Sequence, residues 1–97
     1  MYVYILYSEK LEKFYVGQTQ NVQQRIQQHN TGLESSTRPG MPWRLIWYTL
    51  AVDRGAAMKL EKKIKNLNSQ RKVAFMIKYK HDIASTDELQ WLLQLSV

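Results

Sequence analysis

The sequence predicts a small α+β domain in which a three-stranded antiparallel sheet is flanked by helices. Three observations carry this. Two runs of β-forming residues stand close together at the amino terminus, a third follows a loop rich in proline and glycine, and beyond it apolar residues recur at helical spacing.

Residues Tyr2-Val3-Tyr4-Ile5-Leu6-Tyr7 are all strand formers, and Phe14-Tyr15-Val16 follows the polar stretch Ser8 to Lys13, which predicts a hairpin with a longish loop. Alternate residues of a strand share a face, so Tyr2 and Tyr4 point the same way, and hairpin pairing brings Tyr4 towards Tyr15. Asn21 is placed to cap a helix with Val22 and Ile26 on one face and Arg25 and His29 on the neighbouring one; Gly32 is placed to end it. From Glu34 to Pro42 two prolines and a glycine interrupt any regular pattern, so this is a loop, and Trp43 to Leu50 reads as the third strand.

Asp53 caps a second helix carrying Ala57, Leu60, Ile64 and Leu67 at helical spacing, and Ser69 starts a third with Val73, Met76 and Ile77 inward. Ser85-Thr86-Asp87-Glu88 is a capping-box pattern ahead of Leu89, Leu92 and Leu93. The chain therefore divides into a domain over residues 1–82 and a helical extension over residues 83–97 that packs on the domain or trails from it. There are no repeats and no internal linker.

At 97 residues and 44% hydrophobic content there is room for one core and one site. With no cysteine, disulfides and thiolate metal sites are excluded, and any metal must be held by oxygen or imidazole. Met1 to Ser8 lacks a basic leader and no apolar run reaches the length of a membrane span, so a soluble cytoplasmic monomer with no membrane partner is expected. The net charge of +6 is concentrated: residues 51–80 hold nine Lys/Arg against two Asp/Glu, whereas residues 81–97 hold none against three. Such a segment suits a polyanion, whose bound counterions are released on neutralisation, or serves as a solvated helix face.

The ordered set Tyr2-Val3-Tyr4, then Tyr15-Val16-Gly17, then Arg25 and His29 on the following helix, resembles the GIY-YIG nucleases. The resemblance covers about residues 1–80. It is closest to the short YhbQ-like single-domain proteins, whose loop is similar to Ser36-Thr37-Arg38-Pro39 and Pro42-Trp43-Arg44-Leu45 here. Tyr2 stands where the family name has glycine, and Val16 where it has isoleucine. The resemblance implies metal-dependent hydrolysis of a phosphodiester in nucleic acid, DNA rather than RNA, with a single Mg²⁺ or Mn²⁺ ion.

It also implies roles. Tyr15, with Tyr4 beside it, assists the attacking water; a free phenol titrates near 10, so this needs a cation nearby. Glu61 matches the metal-binding carboxylate, one such group plus waters and phosphate being normal for Mg²⁺. Several family nucleases carry an asparagine beyond this glutamate, and Asn66 and Asn68 are both in its neighbourhood.

The residue chemistry leaves alternatives open at each position. Arg25 offers a fork of donors to phosphate, or is an exposed helix arginine. His29 titrates near neutrality and suits a proton carrier, or caps its helix. Gly17 allows close approach of substrate, or ends a strand. Glu61 lies four residues before Lys65 and suits a helix ion pair. Arg38, Arg44, Lys62 and Lys65 are the substrate-binding cations expected around this centre, and Trp43 is a base-stacking residue or a partly buried one. Two further readings of the whole chain are a binding module of the same fold and an interaction domain using Leu89, Trp91, Leu92 and Leu93.

Overall fold

A computed structural model describes the whole chain, residues 1–97. Strand β1 (Tyr2–Ser8) is central, with β2 (Lys13–Thr19) on one side and β3 (Trp43–Leu50) on the other, both antiparallel to it. The expected three-stranded sheet is therefore present, and β2 and β3 are its edges. Four helices complete the fold: α1 (Val22–Asn30), α2 (Arg54–Lys65), α3 (Ser69–Lys78) and α4 (Thr86–Leu95).

Every helix begins at a side-chain cap. Asn21, Asp53, Asn68 and Ser85 accept hydrogen bonds from the backbone N–H of Gln24, Ala56, Arg71 and Glu88. Each satisfies a donor that the first turn leaves unpaired, which contributes about 1 kcal/mol. The third helix starts at Ser69 as expected, with Asn68 before it as the cap.

Strand alternation divides the sheet into two faces. Val3, Ile5 and Val16 face the main core with Ala57 and Ile64 of α2, Val73 and Met76 of α3, and Leu92 of α4. Tyr4, Leu6 and Trp43 face the other way, packed with Tyr15, Ile26 and Leu45 beneath α1. The β1–β3 register slips between Ile5, which pairs with Trp47, and Leu6, which pairs with Leu45. This bulge at Ile46 lets consecutive residues Ile46 and Trp47 both enter the main core.

Residues 83–97 do not trail. Leu92 is fully buried, and Trp91 packs on Tyr7 and Phe14 at ring-centroid distances of 4.6 and 6.2 Å. The apolar face on which the alternative reading of an interaction domain rests is thus largely occupied within the chain, with Leu93 and Leu95 the substantially exposed apolar residues of α4. No helix is long and apolar enough to cross a membrane.

Candidate active site

The α1 face of the sheet gathers the four residues expected to be catalytic, Tyr4, Tyr15, Arg25 and His29, together with Gly17. In the β1–β2 register Tyr4 lies opposite Gly17 and diagonal to Tyr15, and the two phenol rings sit 6.4 Å apart. Arg25 and His29 are one turn apart on α1, so both reach this face. His29 is fully buried: its Nε2 is 2.9 Å from the Tyr4 hydroxyl and its Nδ1 is 3.0 Å from Thr37 Oγ1. Its ring and that of Tyr15 meet edge to face with centroids 5.0 Å apart. Tyr15 is half-buried and packs against Trp43.

The electrostatics of this cluster assign protonation states. Burial, and the neighbouring Tyr15, push the Tyr4 phenol up to about 12, although Arg25 beside it pulls the other way. Burial, reinforced by Arg25, lowers His29 below its ordinary value, against the opposite influence of Glu34. At neutral pH the pair is a protonated phenol and a neutral imidazole. One arrangement consistent with both is Tyr4 O–H donating to Nε2 and Nδ1–H donating to Thr37 Oγ1.

Arg25 is not free. One guanidinium nitrogen donates to Gln28 Oε1 at 2.9 Å and the other to the Glu34 carboxylate, whose second oxygen lies 3.7 Å from His29 Nδ1. Glu34 and Thr37 both come from the loop after α1. That loop is pinned by Trp43, whose indole N–H donates to the Thr37 carbonyl at 2.7 Å, and by Asn30, whose side chain pairs with the Trp43 backbone like a strand residue. Trp43 is buried and cannot stack on a base. Gly40 makes its position possible, since a Cβ there would lie 2.4 Å from the indole.

Gly17 acts in the same way for Tyr4. A Cβ on Gly17 would lie 2.5 Å from the phenol oxygen and 2.7 Å from the ring carbon bearing it. The missing side chain is filled by Tyr4, which gives this glycine a packing role beside the substrate role expected for it.

Glu61 lies elsewhere. Strand β2 presents Gly17 on the α1 face and Gln18, paired with Val3, on the opposite one, where α2 packs. There Gln18, Met58, Glu61, Lys62, Lys65 and Asn66 line an open cleft of about 300 Å³. Glu61 Oε2 is 2.7 Å from Lys65 Nζ, so the helix ion pair expected from their spacing is formed. Asn68 is committed to capping α3, whereas Asn66 lines this cleft. The side-chain oxygen of Gln18 is buried without a hydrogen-bond partner.

No three His, Asp or Glu side chains come together anywhere in the chain. A divalent ion at Glu61 would thus take one carboxylate, with most remaining positions filled by water or phosphate oxygens, an arrangement natural to Mg²⁺. The donor set fits such an ion.

The remaining expected cations differ in availability. Lys62 and Lys65 are exposed at the Glu61 cleft. Arg38 is exposed but donates twice to the Gly32 carbonyl, at 3.0 and 2.9 Å. Arg44 is bonded to Glu88 at 2.6 Å and Glu9 at 2.7 Å and lies 4.6 Å over the Trp91 ring. Its guanidinium fastens α4 to the sheet. Glu34, Thr37 and Gln18 were not singled out from the sequence. For Thr37 and Glu34 the signal available was only their place in a loop following a helix with an inward histidine.

These features define a class: a small α+β domain with two tyrosines and an arginine on one face of its sheet and a single-carboxylate cleft on the other. The family model of the GIY-YIG catalytic domain matches residues 1–74, and the chain belongs to that nuclease-type family. Nucleases of this family act on nucleic acid and generally use divalent metal ions. The curated proteins and the solved structures give no match to the chain.

Proposed function

We propose that the protein hydrolyses phosphodiester bonds in nucleic acid, DNA in preference to RNA, as a metal-dependent endonuclease of the YhbQ-like kind, acting as a cytoplasmic monomer. The observation that carries this is the pair of half-sites flanking edge strand β2: Arg25 and Tyr15 on one face, the Glu61 cleft on the other. On this reading the scissile phosphate lies across the strand edge, between the two groups of side chains.

Arg25 then meets the phosphate, its fork exchanging the Glu34 carboxylate for phosphate oxygens and countering charge that builds up as the water oxygen bonds to phosphorus and the sugar oxygen leaves. Tyr15, the more exposed of the two phenols, orients that water. Tyr4 stays protonated, and with His29 and Thr37 it forms a buried chain that fixes the floor beneath Tyr15. His29 is therefore a positioning residue, and its contact with substrate is indirect. Glu61 would hold Mg²⁺ or Mn²⁺, which supplies charge neutralisation at the phosphate and a more acidic bound water. Lys62 and Lys65 steer the backbone of the nucleic acid, while Arg44 works through the fold.

The test is cleavage of labelled single-stranded, duplex and branched DNA and RNA with Mg²⁺ or Mn²⁺, comparing the wild type with Arg25→Ala and Glu61→Ala at matched folding. Loss of cleavage in both variants supports the nuclease. Absence of cleavage in all three, with salt-sensitive binding intact, favours a binding module, a reading to which the ready-made Arg25–Glu34 and Glu61–Lys65 pairs lend some support.

A further inference from the structure

We propose that Gln18 supplies a second protein ligand to the divalent ion at Glu61, through its side-chain carbonyl oxygen. This rests on the assignment of Glu61 as the metal carboxylate and adds a residue to it.

The Gln18 side-chain oxygen is the one buried side-chain polar atom in the chain left without a hydrogen bond. An amide oxygen out of water without a partner costs roughly 1–3 kcal/mol, so such an atom marks a place where a donor or a cation belongs. Gln18 and Glu61 line the same cleft, one from the edge strand and one from the helix packed on it. The amide carbonyl is a hard neutral oxygen of the type that accompanies carboxylates around Mg²⁺ and Mn²⁺.

The position also follows from the strand. Gly17 must leave space for Tyr4 on the α1 face, and the next residue necessarily projects to the α2 face, where Glu61 waits. Two cationic side chains, Lys62 and Lys65, line the cleft as well, and Lys65 neutralises Glu61 in the free protein. A carboxylate shared with an ammonium group holds an ion less firmly than a free one would. A second oxygen that no protein donor claims gives the ion a contact for which Lys65 does not compete.

The test is Mn²⁺ binding followed by electron paramagnetic resonance, with and without an oligonucleotide carrying uncleavable phosphorothioate linkages. The proteins compared are wild type, Glu61→Gln, Gln18→Met and Gln18→Glu. Gln18→Met keeps the length of the side chain and removes its oxygen, so affinity should fall about tenfold. Gln18→Glu keeps the oxygen and adds charge, so affinity should rise above wild type, a gain that a damaged fold cannot produce.

Wild-type affinity in Gln18→Met, or weaker binding in Gln18→Glu, with binding abolished in Glu61→Gln, overturns the role of Gln18 and leaves Glu61 in place. Binding absent from the wild type under both conditions, or unchanged in Glu61→Gln, removes the Glu61 assignment and the proposal with it.

Discussion

Replacing Gly17 by alanine tests whether the glycine of the second motif triad exists for the tyrosine of the first. The new methyl carbon would lie 2.5 Å from Tyr4 Oη and 2.7 Å from Cζ, well inside the roughly 3.5–4.0 Å of ordinary contact. Tyr4 has nowhere to retreat, being 1% exposed and bonded to His29, which is in turn bonded to Thr37. Overpacking of this kind costs about 1–3 kcal/mol. If the ring moves, the buried His29 nitrogen loses its hydrogen-bond partner at a further cost of about 1–3 kcal/mol. Gly17 has no left-handed backbone that alanine would strain, so the intrinsic strand preference for alanine offsets only about 0.5–1 kcal/mol.

The expected net loss is therefore about 2–4 kcal/mol, and for a domain of this size each kcal/mol lowers Tm by about 4–8 °C. Thermal and urea unfolding of the wild type, Gly17→Ala, Tyr4→Phe and the double variant form a cycle. Phenylalanine removes the nearest atom, so the double variant should recover about 1 kcal/mol relative to additivity. A Gly17→Ala protein within 0.5 kcal/mol of wild type, or strictly additive losses, would refute the packing role and return this glycine to substrate contact alone.

The buried His29 makes stability depend on pH. Its folded pKa is below the ordinary 6.5, so the unfolded chain takes up the proton first; the stabilisation is complete above about pH 6.5 and declines as pH falls below it, a decline that urea midpoints should show flattened in His29→Gln. Tyr4 acts at the other end: raised to about 12, it contributes stability that is present below pH 10 and lost as pH climbs from 10 towards 12, and Tyr4→Phe should remove that loss. Leu92→Ala should cost about 3 kcal/mol in urea unfolding, since the side chain is fully buried; a loss under 1 kcal/mol would mean that α4 is not part of the core. Glu34→Gln should tighten nucleic-acid binding about fivefold at low salt by releasing Arg25, and unchanged or weaker binding in fluorescence anisotropy would show that Glu34 does not compete with phosphate.

The elements were legible because local chemistry and tertiary structure agree. The continuous run of strand formers in β1, cap residues at Asn21, Asp53 and Ser85, and the helical spacing of Ala57, Leu60 and Ile64 each report a local rule that the fold obeys. The two-residue period also brings Tyr4 to Tyr15, and the four-residue period brings Arg25 and His29 to one face. What the sequence could not show is who meets whom across the loop. Glu34 and Thr37 lie in a stretch with no periodicity, and their partners on α1 are set by how Trp43 and Asn30 pin that loop. Arg44 read as a free cation because its partners are distant in sequence: Glu9 precedes it by 35 residues and Glu88 follows by 44. The bulge at Ile46 was equally hidden, since a strand with an extra residue has the same composition as one without.

On the proposed reading the site is divided between two faces of the sheet, and the place of strand β2 makes that arrangement workable. A central strand would bury both half-sites under neighbouring strands, but β2 is an edge, and its outer side is open to a long polyanion. Consecutive residues on such a strand look in opposite directions, so Gly17 and Gln18 serve different halves without any special loop. The Gly17 position holds Tyr4 over the arginine side, and the Gln18 position borders the carboxylate side. Each half also carries its own counter-charge in the free protein, Glu34 for Arg25 and Lys65 for Glu61. On the proposed reading each ligand displaces one of these ion pairs, and a phosphate oxygen that also coordinates the ion adds an attraction that neither ligand has alone. On that basis metal and nucleic acid should bind with positive coupling, each strengthening the other by the same factor.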